Sequence, residues 1–116
     1  MTRAYRRQLL SGLSVAAPMF AALGDATRLR ILMRLRQDGP NSITSLTRDS
    51  SISRQAVTKH LQALELVRLV RSSRIGREHV WELRAEKLIE LRGYVEQISG
   101  QWDQALERLR AMVESQ

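Results

Sequence analysis

Residues 53–64, Ser-Arg-Gln-Ala-Val-Thr-Lys-His-Leu-Gln-Ala-Leu, constrain the fold more than any other stretch of this chain. At about 100° per residue, Arg54, Gln55, Thr58, Lys59 and Gln62 fall within one arc of roughly 140° on a helical wheel, while Val57, Leu61 and Leu64 lie outside it. Ser53 is suited to the N-cap, and Ile52 before it can staple onto Val57. The result is a helix with one apolar face and one face of cationic and amide donors. Such side chains match phosphates and major-groove base edges. Taken alone, the segment reads equally well as a solvated surface helix. Its neighbours decide between the two.

Upstream, Ile43 and Leu46 sit three apart after the Gly39-Pro40 break, which predicts a short helix starting near Ser42. Ser50, Ser51 and Ile52 then make a connection of the length that joins the helices of a helix-turn-helix. Downstream, the β-prone runs 69–75 and 78–83 flank Gly76-Arg77. This predicts a hairpin with Gly76 at the positive φ of a type II′ turn. Alternation within the two strands is imperfect, so the hairpin is better defined than its register. Arg74 and Arg77 stand at its tip, where a basic wing reaches backbone phosphates or the minor groove.

The chain's 116 residues suffice for one small domain, and 43% hydrophobic content is ordinary for a folded one. A formal charge of +7 favours a polyanionic partner. The excess is local. Residues 48–77 carry seven basic side chains against two acidic, a net +5, whereas residues 85–116 carry four against six, a net −2. Double-stranded DNA is the partner this distribution suits, with an acidic protein docked on a winged-helix interaction module as the alternative. The absence of cysteine excludes disulfides and thiolate metal sites. No apolar run approaches the ~20 residues of a membrane span, and the N-terminus lacks the apolar core of a signal peptide. A cytoplasmic protein without a membrane partner is the expectation.

Elsewhere, a first helix is predicted from about Pro18, or somewhat earlier, to Leu23, since proline suits a first turn. Asp25 is the natural N-cap of a second helix, Ala26–Gln37, with Leu29, Leu32 and Leu35 forming its stripe and Ile31 widening it. Arg28, Arg30, Arg34 and Arg36 read mostly as a solvated face or local ion pairs. In the last helix, 85–114, Leu88, Leu91, Val95, Ile98, Trp102, Ala105, Leu109 and Met112 alternate three- and four-residue steps, the pattern of a helix packed along its length on another. Gly93 and Gly100 weaken it and leave room for a kink or close approach. A partner chain covers such a stripe more readily than the rest of so short a chain. The organisation is therefore an N-terminal arm or helix extension (1–17), a winged helix-turn-helix core (18–84) and a dimerisation helix (85–116). The class is mainly α with a two-stranded β wing, dimeric.

Three stretches in this order, Phe20–Leu32 (Phe-Ala-Ala-Leu-Gly-Asp-Ala-Thr-Arg-Leu-Arg-Ile-Leu), Ser53–Leu64 and Leu69–Arg77, resemble the ArsR/SmtB winged-helix transcriptional regulators. With the hairpin, the likeness spans about residues 18–84. It implies a symmetric homodimer with the first and last helices at the interface. It also implies a repressor of its own operon, relieved by an inducer that the sequence does not name. Metal-sensing members carry a cysteine pair before the recognition helix, or histidine and carboxylate ligands in the last helix. Here Ser42–Arg48 offers no soft ligand and the last helix no histidine, so neither metal nor cofactor is expected. His60 points away from the basic face and is predicted to pack or hydrogen-bond internally. His79 is a strand-surface residue, and no histidine–carboxylate set activates Ser50, Ser51 or Ser53, so an enzyme is not expected. The predicted DNA-facing set is Ser53, Arg54, Gln55, Thr58, Lys59, Gln62, Arg74 and Arg77. Arg54, Gln55, Thr58 and Gln62 face bases, whereas Lys59, Arg74 and Arg77 face phosphates. The predicted dimer set is Leu88, Leu91, Val95, Ile98, Trp102 and Leu109.

Overall fold

The computed structural model describes residues 3–115, apart from the side chains of residues 5, 6 and 8–11. The chain forms α1 (Arg3–Leu23), α2 (Ala26–Asp38), β1 (Asn41–Ser42), α3 (Ile43–Arg48), α4 (Arg54–Leu66), β2 (Val70–Ile75), β3 (Glu78–Leu83) and α5 (Ala85–Glu114). The helix-turn-helix is α3 and α4, and the wing is the β2–β3 hairpin.

Two helix starts follow from the capping chemistry. Asp25 accepts from the backbone N–H groups of Thr27 and Arg28 at 2.9 and 3.1 Å, which opens α2. Ser53 Oγ accepts from Ala56 N at 3.1 Å, which opens α4. Gly39, at φ 78, then closes α2 in a left-handed conformation that side chains resist, directly before Pro40. Buried on the α2 stripe are Ile31, Leu32 and Leu35, while Leu29 is exposed. The apolar face is thus centred between the expected rows rather than on the Leu29 row.

The first helix corrects the expectation for its start. Pro18 lies deep within α1 rather than in its first turn. It gives up one intrahelical hydrogen bond. Gly12, Ala16, Met19 and Leu23 nonetheless run down one face, with Ala16 and Met19 buried, so packing holds the helix across the proline. At Gly12 the fit is close. A Cβ there would meet the Tyr94 ring at 3.2 Å, so glycine lets α1 approach α5. Residues 3–17 of the expected arm are therefore continuous with 18–23. Met1, Thr2 and the side chains of Arg6, Leu9 and Leu10, also placed in that arm, lie outside the described residues.

The sheet has three strands in the order β1-β3-β2, one more than the expected hairpin. Asn41 and Ser42 pair with Trp81 and Val80, while Val70 through Ile75 pair with Leu83 down to Glu78. That register leaves a two-residue turn, and Gly76 sits at φ 65 while Arg77 stays at negative φ, the requirement of a type II′ turn. The irregular alternation has a cause. Adjacent Val80 and Trp81 are both buried, but only Trp81 belongs to the main core, so β3 is covered on both faces at its inner end. Around Trp81 gather Leu35 of α2, Leu46 of α3, Val57, Leu61 and Leu64 of α4, Leu69 and Val70. Each such side chain contributes about 1.5–3 kcal/mol on burial, so the helix-turn-helix is fixed through its apolar face and presents the polar one outward.

Candidate nucleic-acid interface

The recognition helix emerges from a tight turn. Ser50 N donates to Thr47 O at 3.0 Å, and Ser50 Oγ accepts from Ile52 N at 3.1 Å. Ile52 packs against the cluster that holds Val57, as the staple requires. With Val57, Leu61 and Leu64 buried, the opposite face of α4 looks outward. There the structure brings together Arg54, Gln55, Thr58, Lys59 and Gln62 as the lining of one open concavity. Among the described residues, the side chains of Arg54, Gln55, Lys59 and Gln62 make no hydrogen bond or ion pair within the chain, so their donors remain available.

Thr58 and Ser53 are more constrained. Thr58 Oγ1 donates to Arg54 O at 2.8 Å, which leaves its methyl group and its lone pairs for outside contact. Ser53 Oγ accepts one N–H in the cap and retains its O–H as a donor and a second lone pair. Arg74 and Arg77 are not part of the α4 concavity. They stand on the hairpin tip, where every residue from Ser73 to His79 is exposed, and neither has an ion-pair partner among the described residues. Arg71, lower on the same strand, is paired with Glu82. Arg84, Arg92 and Arg110 are likewise paired with Glu86, Glu96 and Glu114. Positive charge is therefore neutralised at Arg71 on the hairpin stem and at Lys87, Arg92 and Arg110 of α5, while the α4 face and the wing tip keep theirs open.

Behind the recognition helix lies a polar cluster that sequence reasoning only half anticipated. His60 does bond internally: its Nδ1 accepts from Arg28 Nε at 3.3 Å. Arg28 also donates from its Nη1 to Ala22 O at 3.0 Å. Asp25 Oδ1 stands 4.0 Å from the same His60 nitrogen. The Asp25 carboxyl is held below its ordinary range, chiefly by the Arg28 backbone N–H and also by that of Thr27, with desolvation partly opposing them. Arg28 and His60 are 32 positions apart, and nothing local in the sequence marks them as partners. Arg34 makes a second brace, reaching Asp38 at 3.4 Å, Asp49 at 2.5 Å and Ser45 Oγ at 3.3 Å, which ties α2 to α3 and the turn.

The residues expected at a chain–chain interface divide in two. Leu91 is buried and Leu88 partly buried against this chain's own core, because the first turns of α5 follow directly from β3 and lie on the body. Val95, Ile98, Trp102 and Leu109 are exposed, Trp102 at 67%. From Val95 to Ser115 every residue is exposed. An apolar groove runs between α1 and α5, walled by Leu13, Ala16, Ala17 and Phe20 on one side and Tyr94 and Ile98 on the other. Among the described residues no three His, Asp or Glu side chains gather within reach of one metal ion, and no helix is long and apolar enough to cross a membrane.

Residues 23–73 match a family model described as a helix-turn-helix domain. An HTH-type transcriptional regulator of Mycobacterium tuberculosis is 35% identical over 95 residues, covering 82% of this chain and 85% of that protein. An ArsR-like transcriptional regulator from Rhodococcus sp. RHA1 superposes with a TM-score of 0.75 at 36% identity, over 85% of this chain and 92% of that one. A homodimeric winged helix-turn-helix DNA-binding domain from Mycobacterium bovis, described as a possible ArsR-family regulator, shares the fold at a TM-score of 0.60 and 23% identity, over 93% of each chain.

Proposed function

Because the chain belongs to the ArsR-type winged helix-turn-helix transcriptional regulators, we propose that it is a homodimeric cytoplasmic repressor that binds a palindromic operator. The observation that carries this reading is the uncommitted polar face of α4, with Arg54, Gln55, Thr58, Lys59 and Gln62 on one open surface backed by a rigid core. Arg54 and Gln55, in the first turn, have the reach and donor geometry to read guanine and adenine edges in the major groove. The Thr58 methyl suits a thymine methyl, and Gln62 extends the reading face by one turn. Lys59, Arg74 and Arg77 bind phosphates and set the register, and the Ser53 O–H can add one more phosphate contact.

Dimerisation supplies the second half of the site. The exposed stripe of α5 and the groove beside α1 are apolar, continuous with each other through Ile98, and uncovered by any of the described residues. Two copies related by a two-fold axis cover both and place two recognition helices on one face of the duplex. The homodimeric Mycobacterium bovis domain of the same fold supports this arrangement.

The test is selection from random duplexes with the purified protein. Enrichment of an inverted repeat, its half-sites about 10 bp apart or a multiple of that, is the expected result. Binding to all duplexes alike, with affinity following only length and salt, would reject a sequence-specific repressor. It would favour an acidic protein as the ligand of this surface.

A further inference from the structure

The proposed reading face explains α4 outward from its axis but leaves its inner polar residue, His60, without a function. His60 is the one side chain of α4 seen to bond to α2, and its side chain is only 23% exposed. The guanidinium bonded to it is also held at its Nη1, which donates to the Ala22 carbonyl in the last turn of α1, and the backbone N–H of the same residue is taken by the Asp25 cap. One side chain thus joins the end of α1, the start of α2 and the middle of the recognition helix. Leu61 beside His60 is fully buried, and apolar contacts of that kind set how deeply α4 lies in the core. They are not directional, and they leave rotation and tilt of the helix weakly defined. A charge-assisted hydrogen bond at mid-helix supplies the missing direction.

We propose that Arg28 and His60 form a positioning strut that fixes the orientation of the recognition helix and ties it to the last turn of α1. The inference rests on the reading of α4 as the DNA-reading element. Neither residue touches the bound duplex in this account. Both act through the placement of Arg54, Gln55 and Thr58. The chemistry is specific about the proton. A guanidinium only donates, so Nδ1 of His60 must be an unprotonated acceptor and the neutral imidazole must carry its hydrogen on Nε2. Asp25 Oδ1, at 4.0 Å from the same nitrogen, lies beyond hydrogen-bond distance. Asp25 Oδ1 already accepts two backbone N–H groups, which favours the Arg28 bond for the neutral ring.

Two variants separate the strut from simple packing. His60→Phe keeps a ring in place and removes the acceptor. His60→Asn places an amide oxygen near the position of Nδ1. Operator affinity should fall about tenfold in His60→Phe, the scale of substitutions that act on a site without touching its ligand, and return to within about threefold of wild type in His60→Asn. Affinity for random duplex at the same salt should stay unchanged in both, since the phosphate-binding residues are intact. Operator affinity equal to wild type in His60→Phe, or equal losses in both variants, would overturn the proposal. If His60→Phe fails to fold, nitrogen NMR of the wild-type imidazole still decides, because a proton on Nδ1 in the neutral ring excludes the bond. A wild-type protein that selects no sequence at all would instead remove the DNA-reading premise, and a correct tautomer would then report only a structural bond.

Discussion

Arg68 is the only residue other than glycine at positive φ among the described residues, at 64°. It stands just past Val67, the C-cap of α4, and ends the helix. Leu69 N donates to Leu64 O at 3.0 Å and Arg68 N to Glu65 O at 2.9 Å, the pair of bonds by which a left-handed residue closes a helix. Leu64 and Leu69, which meet across this closure, are both fully buried. The core therefore imposes on an arginine a conformation that costs about 1 kcal/mol relative to glycine. Arg68→Gly should raise the unfolding free energy by roughly that amount, read as a higher denaturant midpoint at unchanged slope. A lower midpoint would mean that the Arg68 side chain contributes more than its backbone costs. Nothing in the sequence announces this helix end, because the usual signal is a glycine and none stands there. Asp25 and Ser53, by contrast, were legible as caps, since capping depends on one side chain and the next three residues. Single-residue features show in a sequence when their partners are local. The Arg28–His60 bond and the positive φ of Arg68 are set by tertiary packing and leave no local trace.

At the scale of elements, α4 and the β2–β3 hairpin were legible almost to the residue, because each carries its own period, cap or turn. The start of α1 was not, since Pro18 is a stronger local signal than the spaced small residues that carry the helix past it. Nor was β1, two residues long, which exists only because β3 offers its free edge. The elements that position the candidate interface are the legible ones, and their division of labour is testable. Arg54 and Gln55 lie in the first turn of α4, so Arg54→Ala or Gln55→Ala should cost about 1–3 kcal/mol on the selected operator and relax its sequence preference. Lys59→Ala or Arg77→Ala should weaken operator and random duplex alike. Each should also reduce the slope of log affinity against log salt by about one phosphate's worth, near 0.9. Titrating all four variants against both duplexes at several salt concentrations reads the two effects separately. Indistinguishable losses across the four would show that base reading does not reside in the first turn of α4.

The whole molecule has a shape that a lone chain does not readily hold. Its radius of gyration is 19.1 Å and its long extent 68 Å, against roughly 13 Å for a compact 100-residue domain. The excess comes from the projecting helices. Beyond Tyr94, α5 runs a further 20 residues, Val95 to Glu114, with every residue exposed and a glycine at position 100. An unsupported helix of that length is marginal in water, and Gly100 lowers its stability by about another 1 kcal/mol. Its apolar side chains, Ile98, Trp102, Leu106 and Leu109 among them, recur on a helical stripe as if for packing, yet none of the described residues covers them. In the proposed dimer a second copy supplies both the cover and the second recognition helix. Trp102 is the largest side chain on the stripe, and Trp102→Asp would set a carboxylate where a ring is to be buried. Sedimentation at micromolar concentration should then show the wild-type chain at twice its 13.3 kDa mass and the variant at the single-chain mass or unfolded. Operator affinity should fall by about 100-fold or more, since one half-site no longer holds the other near its DNA. The control lies in the same helix: Ile89→Asp places the charge at an exposed position off the stripe, and it should leave both mass and affinity unchanged. A wild-type chain that sediments as a folded monomer while gripping its operator tightly would mean that α5 serves its own subunit alone.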